Sequence, residues 1–130
     1  EHNMSFSDYY SGVQHIGIPT KDLAAAEAFW TKLGFTKTGD FPVGNVIFMK
    51  RDNLVIETWQ QDEVAGKPGA INHISMDTTD ADAAFVAAKA EGFKLIDSEV
   101  QHLAFWEKGI KFFNIEGPDA VIVEFCEIVK

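Results

Sequence analysis

The sequence predicts an α+β fold of two βαβββ modules, paired into curled mixed sheets around a shared cleft. Three observations carry that expectation. His15, Asp22 and Gly34-Phe35 recur as His73, Asp80 and Gly92-Phe93, each match at one offset of 58 residues. A repeat this regular marks two copies of one supersecondary unit. Both copies read in the same order, one strand, one helix, then three strands. Neither half could bury both faces of its sheet alone, so two four-stranded halves with helices outside would close around a common interior. The modules cover residues 12–60 and 70–129 of a single domain, 12–130, preceded by a tail, 1–11, in which Glu1-His2-Asn3 reads as a tag remnant.

The elements follow from local chemistry. Val13 to Ile18 alternates, with Val13, His15 and Gly17 on one face and Gln14, Ile16 and Ile18 on the other. On that alternation Gln14 points away from His15, and Asn72 away from His73. Pro19 ends the strand, and Thr20 or Asp22 can cap a helix. Leu23, Ala26, Phe29 or Trp30, and Leu33 form its apolar stripe, and Gly34 stops it. Residues 35–38 and 45–50 read as strands, 40–44 as a turn region, Arg51-Asp52-Asn53 as a hairpin turn and Leu54–Trp59 as a β-prone strand. The polar stretch 60–69 is a linker. In the second module the strand is 71–76, the helix runs from Asp80 to Gly92, and Phe93–Ile96 opens the next strand. His102 to Gly109 is irregular and aromatic, 110–115 is a strand, 116–119 a tight turn, and 120–129 the last strand.

Composition narrows the function. Apolar residues make up 46% of the 130, including eleven Phe and three Trp, enough for a real core. The net charge of −9 argues against nucleic acid, which needs a basic stripe, and against an anionic membrane surface. The single cysteine, Cys126, permits no internal disulfide, so nothing points to an oxidising compartment. No apolar run is long enough for a membrane span, and no signal-peptide core opens the chain. The expectation is a soluble, cytoplasmic globular protein.

Two acids lie within apolar strands, Glu57 in Leu54–Trp59 and Glu124 in Val121–Cys126. A carboxylate there is costly to bury without partners. A surface edge would also accept one such acid, but each follows a turn Asp (Asp52, Asp119) by five positions. Each module therefore offers one His on its first strand and one Glu on its last. Pseudo-twofold symmetry would bring His15, Glu57, His73 and Glu124 together, a donor set suited to a divalent first-row ion with water completing the shell. Taken singly, a strand histidine is more often a satisfied core or edge residue; the repetition raises the metal reading.

Gln14-His15-Ile16-Gly17-Ile18, Asp22-Leu23, Phe29-Trp30 and Leu33-Gly34-Phe35 resemble the opening of the vicinal oxygen chelate superfamily. Glu116-Gly117-Pro118-Asp119-Ala120-Val121-Ile122-Val123-Glu124-Phe125 resembles its closing turn and strand, with Ala120 where the family usually has Gly. The resemblance covers about residues 12–128 and is specific for the fold, less so for the reaction. The superfamily includes glyoxalase I, extradiol dioxygenases, methylmalonyl-CoA epimerase and fosfomycin-resistance thiol transferases. The resemblance implies that His15, His73 and Glu124 are metal ligands, and that Glu57 matches the fourth ligand of glyoxalase I. Ring-cleaving dioxygenases use three ligands and the epimerase usually has Gln at that place, so Glu57 tilts towards a glyoxalase-type lyase or isomerase. It further implies a divalent ion, Zn or Ni ahead of Mn or Fe. A base, Glu124 or Glu57 when displaced from the ion, would take a carbon-bound proton from the substrate and form an enediolate. Small bacterial glyoxalases carry an Arg soon after the first His, where this chain has Pro19. Its one arginine is Arg51, and Gln61 is the nearest amide beyond Glu57. That combination makes a poor glutathione receptor.

Trp59, Phe105, Trp106 and Phe113 are candidates for an aromatic substrate pocket, and equally for core or dimer contacts. His102 reads as a solvated loop residue, and Cys126 as a small buried hydrophobe on the Glu124 face. Eleven Phe exceed what so small a core needs, and the family commonly pairs modules within or across chains, so a homodimer is expected. The alternatives to a lyase are a ligand-sequestering resistance protein, which traps ligands between aromatic side chains without metal, and an extradiol-type dioxygenase.

Overall fold

The computed structural model describes residues 4–9 and 11–130. The expected tag remnant, Glu1-His2-Asn3, lies outside them. The chain divides into two compact units, Glu1–Asp62 and Glu63–Lys130. The first contains β1 (Ile16–Thr20), α1 (Leu23–Lys32), β2 (Thr36–Phe41), β3 (Val46–Arg51) and β4 (Leu54–Gln60). The second contains β5 (Ile74–Asp77), α2 (Ala81–Ala90), β6 (Gln101–Leu103), β7 (Ile110–Glu116) and β8 (Ile122–Ile128). Their sheets have the orders β1-β4-β3-β2 and β5-β8-β7-β6, the same order in both halves, as the repeat predicts. In each, the first strand pairs parallel with the last and the other pairs are antiparallel. Among the described residues no helix is long and apolar enough to cross a membrane.

The helix ends repeat as closely as the strands. Asp22 caps α1 by accepting from the Ala25 N–H, and Asp80 caps α2 by accepting from the Ala83 N–H, each at 3.0 Å. At the other ends Gly34 and Gly92 take φ of +94° and +80°. Phe35 N–H then donates to the Trp30 carbonyl and Phe93 N–H to the Ala88 carbonyl, closing the same six-residue wrap twice.

Each helix covers one face of its sheet. Under α1, Ala26 and Trp30 are buried with Met49, Ile56 and Thr58, and Trp30 meets Phe35 edge to face at 5.0 Å. Under α2, Phe113, Ile115 and Val123 are buried, and Phe113 packs between Phe85, edge to face at 5.4 Å, and Phe125, stacked at 5.2 Å. The alternation of β4 and β8 leaves Glu57 and Glu124 on the opposite face of each sheet.

Several boundaries differ from the sequence reading. Both histidines stand one residue ahead of their strands, because β1 begins at Ile16 and β5 at Ile74. The strand expected at 93–96 is only an isolated bridge, Leu95 to Ile115. The cause is Asp97, whose Oδ2 accepts from the Asn114 backbone N–H at 2.7 Å and from its side-chain amide at 3.0 Å. A carboxylate thus takes the place a ladder carbonyl would fill, and the chain leaves the sheet. It rejoins as β6, which overlaps the start of the stretch read as irregular, so His102 is a strand residue and not a loop residue.

β8 starts two residues later than expected because Asp119 and Ala120 both take left-handed φ, 58° and 63°. Asp tolerates that region; Ala pays about 1–2 kcal/mol for it. Ala120→Gly is expected to raise stability by about 0.5–1 kcal/mol, the gain reduced by the freer unfolded chain. A higher urea midpoint at unchanged slope would show it, and a lower midpoint would contradict it.

Candidate functional site

In the first unit the parallel register sets Gly17 opposite Glu57. His15, two residues before Gly17, brings its Nε2 to 3.6 Å from Glu57 Oε1. The second unit repeats the device: Ser75 is opposite Glu124, and His73 Nε2 lies 3.8 Å from Glu124 Oε1. All four side chains are partly open, Glu124 the least at 16%. Within each unit the donors form a pair, and among the described residues no third His, Cys, Asp or Glu joins either pair.

The other ring nitrogen of each histidine is also held. His15 Nδ1 lies 2.8 Å from Gln14 Oε1, and His73 Nδ1 lies 3.0 Å from Asn72 Oδ1. The amides therefore turn towards their histidines, against the expectation from strand alternation. The alternation fails because residues 14–15 and 72–73 precede the strands. An amide oxygen only accepts, so each neutral ring donates from Nδ1 and leaves the Nε2 lone pair facing a carboxylate. Two electron-rich atoms in that position suit a metal ion between them. Atoms each ~2.0–2.2 Å from one ion lie at most about 4.4 Å apart, so both separations can be bridged. The buttressed imidazole is the usual support of a metal-bound histidine. The donor chemistry thus fits a divalent ion.

Around Glu57 the open face is aromatic. Phe48, its register partner in β3, meets the His15 ring edge to face at 5.7 Å and Phe41 at 6.0 Å. Trp59 lies on the same face, against Gly17, and its indole N–H donates to Gln61 Oε1 at 3.0 Å. A Cβ on Gly17 would stand 3.2 Å from the Trp59 ring, so the glycine lets the indole lie against the backbone. Phe41 and Phe48 were not among the expected pocket residues. Counting back across the hairpin turn from Glu57 would have found Phe48. Around Glu124 the face carries Ser75, Asn114, Phe112 and Cys126. Burial first, then Glu124 and Asp77, push the Cys126 thiol above its ordinary pKa, so it stays protonated and a poor nucleophile.

The other candidates separate. Phe113 is a correction: it is 1% exposed under α2, on the face away from Glu124, and is core. Trp106 is 73% exposed with a left-handed φ of 64°, and Phe105 is also exposed. Trp106 and His102 line a shallow recess of ≈ 540 Å³ with Leu103, Ile110, Lys111 and Val129, away from His73 and Glu124. Arg51 is on the helix-covered face, donating to the Gly34 carbonyl at 3.2 Å.

A family model described as Glyoxalase/Bleomycin resistance protein/Dioxygenase superfamily matches residues 14–113, a span that includes His15, Glu57 and His73. The chain is 26% identical over 124 residues to YwbC of Bacillus subtilis (strain 168), covering 88% of this chain and 96% of that protein. Its fold is similar to the fosfomycin resistance protein FosX from Listeria monocytogenes, with a TM-score of 0.75, 19% identity and coverage of 92% and 95%. It is also similar to lactoylglutathione lyase from Agrobacterium tumefaciens, with a TM-score of 0.62, 21% identity and coverage of 91% and 94%. At these identities the two structures speak for the fold alone.

Proposed function

Because the chain belongs to the glyoxalase/bleomycin resistance protein/dioxygenase superfamily, we propose that it is a metal-dependent lyase or isomerase of the glyoxalase type. Its substrate is a small molecule with two neighbouring oxygens. The observation that carries this reading is the twice-built pair in which a histidine Nε2 faces a glutamate Oε1. In this reading His15, Glu57, His73 and Glu124 hold one ion, Zn or Ni before Mn or Fe. In the same reading the protein is a cytoplasmic homodimer.

Such an ion would supply Lewis acidity to the substrate oxygens as they gain negative charge. The rest is done by the chain. Gln14 and Asn72 fix the tautomer and aim of the imidazoles. Glu57 or Glu124, as the general base, takes a proton from the substrate carbon and returns it to the neighbouring carbon. The net change is an isomerisation, so no external oxidant or reductant is needed. Phe41, Phe48 and Trp59 offer an apolar wall beside Glu57. With Pro19 near His15 and Arg51 engaged at Gly34, no arginine is available to clamp a glutathione carboxylate. A thiol adduct other than that of glutathione fits better.

The test is metal analysis of protein purified without chelator, then a screen of 2-oxoaldehyde thiol adducts and catechols. Bound metal with turnover of an aldehyde adduct is the expected result. Iron with catechol ring opening would make it a dioxygenase. Ligand binding without metal or turnover would make it a sequestering protein.

A further inference from the structure

The two halves of the site differ at the repeat position opposite each glutamate. At the offset of 58, Gly17 becomes Ser75. Both residues sit directly opposite the site glutamate in the parallel register. Ser75 Oγ–H donates to Glu124 Oε1 at 2.7 Å, and that oxygen also faces His73. Gly17 has no side chain, and the space beside it is taken by the Trp59 ring. Among the described residues no hydroxyl or amide donates to Glu57, whose side chain is 28% exposed against 16% for Glu124.

Resting on the reading above, we propose that Ser75 is a positioning residue: it anchors Glu124 as the standing carboxylate of the site and leaves Glu57 as the one free to move. A hydroxyl donating to a carboxylate makes a short, charge-assisted bond, stronger than a neutral one. It removes rotamer freedom that Glu124 would otherwise lose on binding an ion. Glu57 accepts no such bond among the described residues and can swing away from His15 without breaking one. Of the two candidate bases, this asymmetry favours Glu57.

The experiment compares Ser75→Thr with Ser75→Val by calorimetric titration with Zn. The two side chains have the same shape, and only Thr keeps the hydroxyl. Thr is expected to bind within about twofold of wild type, and Val to bind about tenfold or more weakly, the usual cost of losing such a support. Equal affinities for Val, Thr and wild type would overturn the proposal while leaving the metal site standing. Wild-type protein that binds no Zn would overturn the metal reading itself, and this proposal with it. If β-branching at this position unfolds the chain, Ser75→Ala against wild type serves instead, with far-UV circular dichroism as the control. Weakening by Ala supports the anchor, and no weakening by Ala overturns it.

Discussion

His73→Ala is expected to abolish tight binding of Zn, Ni, Mn and Fe, and with it the difference in Tm between ion-loaded and chelated protein. The imidazole Nε2 is the strongest donor of its pair, and Asn72 already holds it in the ligating tautomer. An ion that binds only the folded state stabilises it by about 4 kcal/mol when present at a thousand times its Kd. Removing one of two nitrogens from the donor set should bring that contribution close to zero at the same ion concentration. His102→Ala is the control, since His102 is an exposed residue of β6 that does not meet Glu124. Differential scanning calorimetry with and without a chelator reads both variants. A Tm difference in His73→Ala equal to that of wild type would remove His73 from the site.

Phe113→Ala is expected to destabilise the fold by about 3–5 kcal/mol, through lost burial and the cavity left between Phe85 and Phe125. That is a large share of the roughly 5–15 kcal/mol that holds an ordinary domain together. Trp106→Ala should stay within about 0.5 kcal/mol, because its ring is mostly in water. Urea unfolding of the two variants tests the assignment of one aromatic to core and the other to surface. A loss below about 1 kcal/mol in Phe113→Ala would show a site that collapses freely, contrary to its stacked surroundings.

Much of the fold was legible because its signals are local. Asp22, Asp80, Gly34 and Gly92 mark helix ends by chemistry that acts over a few residues, and the repeat doubled each signal. His15, Glu57, His73 and Glu124 were each legible as candidates from the repeat and from acids in apolar strands, but that His15 meets Glu57 and His73 meets Glu124 emerges only from the register. What escaped depends on contacts distant in sequence. Asp97 displaces a ladder carbonyl at Asn114, seventeen residues away, and no pattern near Phe93 announces that. Of the neighbours Phe112 and Phe113, one faces each side of β7, and only the pairing with β8 says which. Gln14 and Asn72 turn back to their histidines because the strands start later than alternation implied. Ser75 was visible at its offset from Gly17, but its bond to Glu124 emerges only from the register.

The most direct test of a single ion held by His15, Glu57, His73 and Glu124 is the stoichiometry of Zn binding to wild type, His15→Ala and His73→Ala by titration calorimetry. One ion per chain in wild type, with tight binding lost in either variant, is the expected result. Two ions per chain, or one His→Ala variant that binds as wild type does, would mean that the two pairs do not form one centre.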